Sequence, residues 1–126
     1  MIDRLDHLVL TTAHEQDCID FYVGVLGMTL ETFGAGRKAL RFGSQKINLH
    51  VQGSEFEPKA NVPTPGSLDL CFIAGRPLDE VIALLQARRV PIVEGPVLRT
   101  GAVSRLRSVY VRDPDLNLIE ISELHP

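Results

Sequence analysis

The sequence has no excess of basic charge, no long apolar run and no paired cysteines. Thirteen Lys and Arg stand against sixteen Asp and Glu, a formal net charge of -3. A nucleic-acid binder would show a strong basic excess, so that class of partner is excluded. No apolar stretch approaches membrane-spanning length, and no membrane role is expected. Met1-Ile2-Asp3-Arg4 lacks the basic-then-apolar pattern of a secretory leader. The two cysteines, Cys18 and Cys71, show neither metal-knuckle spacing nor a disulfide framework. A reduced, cytoplasmic setting is the expectation, with either cysteine a free thiol in the core.

What is present is a repeat. Residues from about Leu5 to Gln52 read as strand, helix and three strands, and residues from about Leu68 to Glu123 repeat that order. A length of 126 residues fits one domain. Module one spans about 4–52, a linker with Pro58, Pro63 and Pro65 covers 53–66, and module two spans about 67–124. In the first helix Ile19, Tyr22, Val23 and Leu26 share a face, and Gly27 is a plausible stop. The second helix begins near Pro77 and places Leu78, Val81, Ile82 and Leu85 at the same spacing. Asp113-Pro114-Asp115 is a turn joining the last two strands. The segment Arg99 to Arg105, around Gly101, lacks periodicity and reads as a mobile loop.

Strand side chains alternate between faces with a period of two. Leu8 and Leu10 oppose His7 and Val9. Ile47, Leu49 and Val51 oppose Asn48, His50 and Gln52. Leu68, Leu70 and Phe72 oppose Asp69, Cys71 and Ile73. Ile119 and Ile121 oppose Leu118, Glu120 and Ser122. One face of each half-sheet is therefore suited to lie under a helix. The other carries His7, Asp69 and Glu120, each interrupting an aliphatic strand. Taken alone, His7 reads more simply as a satisfied strand histidine. With Asp69 and Glu120 on matching faces a divalent metal becomes the better reading, because two converging carboxylates repel unless a cation or a proton compensates them.

Leu5-Asp6-His7-Leu8-Val9-Leu10, Phe21-Tyr22 with Leu26-Gly27-Met28, and Ser108-Val109-Tyr110-Val111-Arg112-Asp113-Pro114-Asp115 followed by Asn117-Leu118-Ile119-Glu120-Ile121 carry a family resemblance. Over nearly its whole length the chain resembles the vicinal oxygen chelate superfamily. That group includes glyoxalase I, fosfomycin and bleomycin resistance proteins and extradiol dioxygenases. The resemblance implies an α+β fold, with two tandem βαβββ modules forming a cupped mixed sheet and helices on the outer face. It implies His7, Asp69 and Glu120 as the metal positions, with Asp69 where relatives often carry His. Where glyoxalase I has a further Glu on the fourth strand, this chain has Asn48, with His50 two residues on. His50 is open between a fourth ligand, a substrate contact and a solvated strand residue. Leu116 stands where many relatives have Gly, and a branched residue there disfavours a positive backbone angle, so a different turn is expected.

One imidazole and two carboxylates suit Mn(II), Fe(II), Ni(II) or Zn(II), and three protein ligands leave open positions for a chelating substrate. The resemblance further implies that Ser108 and Tyr110 approach the substrate, Tyr110 also being readable as a core aromatic with its hydroxyl at the rim. Glu120 and Tyr110 are the catalytic candidates, and Asn48, His50, Ser108 and Tyr110 the substrate-binding ones. The expected function is a metal-dependent, glyoxalase-like enzyme, a lyase, isomerase or dioxygenase acting on a small oxygenated substrate. A protein that sequesters a small molecule without catalysis is the alternative. Relatives pair modules across subunits, so a homodimer is expected, which would also cover exposed strand edges.

Overall fold

The computed structural model describes all 126 residues, Met1–Pro126. The chain forms two compact units, Met1–Ser67 and Leu68–Pro126. In the first, β1 (His7–Thr12) leads through α1 (Glu15–Ile19) to β2 (Thr29–Phe33), β3 (Arg37–Phe42) and β4 (Gln45–Val51). The sheet order is β1-β4-β3-β2, with β1 parallel to β4 and the other neighbours antiparallel. The second unit repeats this with β5 (Asp69–Ile73), α2 (Leu78–Ala87), β6 (Glu94–Thr100), β7 (Arg105–Arg112) and β8 (Leu118–Leu124), ordered β5-β8-β7-β6. The tandem βαβββ organisation is the one that the sequence repeat implies.

Each unit has its own core. In the first, Leu10, Leu40, Ile47 and Leu49 from one sheet face are buried together with Cys18, Ile19, Phe21 and Tyr22. In the second, α2 lies against β7 and β8 and buries Leu78, Val81 and Leu85. Glu123 on β8 accepts a hydrogen bond from the Leu78 amide at 2.9 Å, satisfying an open donor at the start of α2. Arg107 braces the same corner, bonding Glu123 at 3.2 Å and Asp79 at 3.0 Å. Pro77 sits just outside the helix with extended ψ rather than in its first turn.

Four further expectations need correction. The first helix does not keep one α-helical stripe. After Ile19 it widens into a π-helical segment over Asp20–Val25, with Leu26 N–H bonded to the Phe21 carbonyl at 3.1 Å. A π turn inserts a residue and rotates the rest of the helix beyond it. Phe21 and Tyr22 are therefore buried, while Val23 and Leu26 are only half-buried. The loop around Gly101 is shorter than Arg99–Arg105, because Arg99 and Thr100 end β6 and Arg105 begins β7. Val97 and Arg99 share a face in β6, and only four residues, 101–104, connect it to β7. The arginine on that polar face had hidden the alternation. Cys71 is an exposed thiol on the polar face, whereas Cys18 is the core one.

Leu116 is the fourth correction, since its φ is +70° despite the side chain. The turn around it is over-determined. Asp113 Oδ1 accepts the amides of Asp115 and Asn117, each at 2.9 Å, and its Oδ2 accepts the Asn117 side-chain amide at 2.7 Å. Asn117 Oδ1 in turn accepts the Leu68 amide at 2.9 Å, tying the turn to the start of β5. These bonds hold Leu116 in a left-handed conformation that costs an L-residue roughly 1–2 kcal/mol. Its side chain is 66% exposed and contributes little packing. Leu116→Gly is expected to stabilise the protein by about 0.5 kcal/mol, after the extra unfolded-state entropy of glycine. Thermal denaturation should show a rise of about 2 °C; a fall would contradict this reading of the turn.

Candidate functional site

In the first unit the ladder register sets His7 opposite Lys46, Val9 opposite Asn48 and Thr11 opposite His50. His7, Asn48 and His50 therefore share one sheet face, away from the apolar core. His7 is exposed at the start of β1, and its Nδ1 lies 2.8 Å from Asp6 Oδ2. Asp6 precedes the strand, so it is free to turn back toward the ring. The imidazole beside it holds the Asp6 carboxyl below its ordinary range. With Nδ1 engaged in this way, Nε2 is the nitrogen left for another partner. At the other end of the face Asn48 and His50 are 6% and 2% exposed, and neither Asn48 Oδ1 nor His50 Nε2 has a hydrogen-bond partner. Burial, followed by the Arg37 charge, lowers the His50 pKa, so the ring is neutral near pH 7.

In the second unit Cys71 is opposite Glu120, and Glu120 is opposite Tyr110. Asp69 lies two residues from Cys71 on the same face and is exposed, while Glu120 is half-buried. Ser108 donates to Glu120 Oε2 at 2.7 Å, and Ser122 lies 2.6 Å from Ser108 and 3.3 Å from the same oxygen. Cys71 Sγ is 3.4 Å from Ser122. Each of these groups has one proton to give. Run in the order Cys71 to Ser122 to Ser108 to Glu120, the protons end on Oε2. Although Cys71 is exposed overall, partial desolvation, opposed by the Ser122 contact and reinforced by Glu120, raises its pKa and keeps the thiol protonated, as this direction requires. Gly95 makes the close approach of β6 possible: at φ +105° any Cβ would stand 2.5 Å from the Ser108 carbonyl.

The Tyr110 hydroxyl accepts a hydrogen bond from Arg99 Nε at 3.0 Å, and Arg99 also reaches Glu94 at 3.1 Å. Burial is the main reason that the Tyr110 pKa is raised; Arg99 opposes it and Glu120 reinforces it. The phenol thus stays protonated near neutral pH and stands beside Glu120.

Of the residues singled out in the sequence, Asp69, Glu120, Ser108 and Tyr110 share the polar face of the second unit, and His7, Asn48 and His50 that of the first. No three His, Cys, Asp or Glu side chains stand together in the chain as a ready metal cage. The donor chemistry nonetheless fits a divalent ion. His7 has a carboxylate on one ring nitrogen, the usual orienting partner of a ligating histidine, and Glu120 has its Oε2 held by Ser108. Sequence reasoning missed Asp6 as a partner of His7, and it missed the hydroxyl relay. Ser122 and Cys71 share the Glu120 face by simple alternation, so the relay had a readable signal. The Asp6 contact had none, because neighbours within a strand point apart.

A repeated βαβββ unit with its polar side chains gathered on one sheet face defines a class of small duplicated α+β proteins. The family model for this class matches residues 4–121, and the chain belongs to the Glyoxalase/Bleomycin resistance protein/Dioxygenase superfamily. It is 57% identical over 123 residues to virulence protein STM3117 of Salmonella typhimurium, covering 98% of this chain and 85% of that one. The crystal structure of that relative superposes with a TM-score of 0.97 over 99% of both chains. The glyoxalase domain-containing protein RDO1 of Mycosarcoma maydis is 58% identical, over 96% of this chain and 68% of the relative. The lactoylglutathione lyase of Agrobacterium tumefaciens is 22% identical, with a TM-score of 0.76 over 98% of this chain and 95% of the other. At that identity the likeness is one of fold.

Proposed function

We propose that the protein is a metal-dependent enzyme of the glyoxalase type, acting on a small substrate with two adjacent oxygens. His7, Asp69 and Glu120 are the proposed ligands of one divalent ion, Mn(II), Fe(II), Ni(II) or Zn(II). The observation that carries this reading is the Glu120 carboxylate, whose Oε2 is oriented by a three-group hydroxyl and thiol relay. A carboxylate serving only as a solvated surface group needs no such orientation. When bound, a divalent ion would supply Lewis acidity to the paired substrate oxygens.

The protein's own groups have distinct parts in this scheme. Ser108 positions Glu120. Tyr110, protonated and steadied by Arg99, offers a proton donor at the edge of the site. Asn48 and His50 bring unpaired polar atoms to the substrate. A homodimer is part of the proposal, supported by the open edges of β1, β2, β5 and β6 and by exposed Val9 and Ile73 on the polar faces. A single-chain mass in light scattering at micromolar concentration would remove the dimer. A cytoplasmic location completes the reading, in keeping with the lack of a disulfide between Cys18 and Cys71.

The test of chelation is spectroscopic. Protein reconstituted with Co(II) should show a saturable change in its visible bands with acetohydroxamate, a ligand with two adjacent oxygens. Acetamide, with one oxygen, should do far less. Equal responses to both, or none to either, would defeat the reading.

A further inference from the structure

The first unit holds a cationic side chain on its polar sheet face that has no carboxylate partner. Arg41 pairs with Glu31, Arg99 with Glu94, and Arg107 with Asp79 and Glu123. Arg37 has none of these. Its guanidinium carbon lies 5.2 Å from the Phe33 ring centre and 4.9 Å from that of Phe56. Two phenyl rings steady the cation without using its five N–H donors. Phe56 also meets His50 edge to face, with ring centres 5.8 Å apart.

The sheet register places this cation. Lys38 is opposite Leu49 and Ala39 opposite Asn48, so Arg37 falls opposite His50, one step along the same ladder. Asn48 follows two residues away on the same face. The corner thus combines one unpaired guanidinium with the two buried atoms that lack partners, His50 Nε2 and Asn48 Oδ1. Leaving a buried polar atom unpaired costs roughly 1–3 kcal/mol. Two such atoms beside an arginine fork are complementary to a definite ligand.

We propose that this corner binds a small α-hydroxycarboxylate, its carboxylate on Arg37 and its hydroxyl bridging Asn48 and His50. A carboxylate alone would suit the guanidinium, but Asn48 Oδ1 is an acceptor and needs a donor, which the hydroxyl supplies. The neutral His50 ring can meet that same hydroxyl, or a carboxylate oxygen if its proton is on Nε2. The nearby acids are already engaged. Glu55 accepts the Gly53 amide at 2.8 Å and Glu57 accepts Lys59 at 2.6 Å, so neither takes Arg37. Phe56 covers His50 and must swing aside on entry. A pocket of about 140 Å³ bounded by Lys38, Leu49, Ser54 and Phe56 itself gives the ring room to move. The proposal deepens the substrate reading above, naming a substrate class for Asn48 and His50, and it needs none of the proposed metal ligands.

The test is an NMR titration of the full chain, freed of metal by a chelator that is then removed, with glycolate, acetate and glycolamide. Glycolate should shift His50 and Phe56 resonances saturably. Glycolamide, which lacks the charge, should bind about tenfold more weakly or less, as should glycolate to Arg37→Gln, since a charge-assisted pair is worth about that factor. Acetate, which lacks the hydroxyl, should be severalfold weaker. Arg37→Lys should fall between wild type and Arg37→Gln. Glu120→Gln should bind glycolate as the wild type does, which separates this site from the metal reading. No saturable shift, equal binding of glycolate and glycolamide, unchanged binding by Arg37→Gln, or loss in Glu120→Gln would overturn the proposal.

Discussion

Glu120→Ala is expected to lower affinity for Mn(II), Ni(II) and Zn(II) about a hundredfold or more, and His7→Ala to do the same. Changing even an outer partner of a metal ligand costs 10- to 100-fold, so losing a ligand should cost at least as much. Removing Glu120 also takes away negative charge that would compensate the ion. The fold should survive. Glu120 is half-buried, and its loss strands the Ser108 hydroxyl at a cost of about 1 kcal/mol. Glu120→Gln makes the comparison sharper, because it keeps an acceptor for Ser108 and loses only the charge. Ser108→Ala should weaken binding by a smaller factor, about tenfold, because it frees the carboxylate to rotate. Calorimetric titration reads all four variants. Unchanged affinity in both Glu120→Ala and His7→Ala would remove these residues from consideration.

The second large effect concerns methylglyoxal and glutathione. The metal-reconstituted protein is expected to turn this pair over poorly, despite its family. The isomerisation moves a proton between adjacent carbons of a thiohemiacetal, and general-base help of that kind is worth roughly 10²–10⁴-fold. The fourth strand offers Asn48 at the position where glyoxalase I has a Glu, and an amide is no base at neutral pH. Tyr110 is held protonated, and His50, although neutral, lies under Phe56. Asn48→Glu should raise turnover by one to several orders of magnitude. Asn48 is nearly fully buried, so a carboxylate there would have a raised pKa, closer to the operating pH. The assay is product formation by the wild type and by Asn48→Glu under identical metal loading. Robust turnover by the unchanged protein would show that another group serves as base.

The fold was readable because its two signals are local. Strand alternation and the helical spacing of Leu78, Val81 and Leu85 act within a few residues, and the repeat supplied each module with an independent copy. The failures were also local. The π-helical widening after Ile19 kept Tyr22 buried but brought in Phe21 and left Val23 and Leu26 half-buried, a backbone choice that periodicity does not encode. Leu116 adopts a positive φ because Asp113 and Asn117 leave the turn no alternative, and that constraint spans the β7–β8 turn and the start of β5. At the site, alternation was enough to put Asp69 with Glu120 and Asn48 with His50. It could not reveal the Asp6 contact, made before β1 begins. It could not place Arg37 beside His50 either, since that depends on the register between β3 and β4 and on the return of Phe56 from the linker.

The most direct measurement is the metal content of protein purified without a metal-affinity tag, before and after dialysis against Mn(II), Ni(II) or Zn(II), with His7→Ala and Glu120→Ala carried alongside. A site built on these ligands predicts about one tightly held divalent ion per chain in the wild type and little in either variant. A wild-type protein that retains no divalent ion from any of the three, or variants that retain as much as it does, would contradict it.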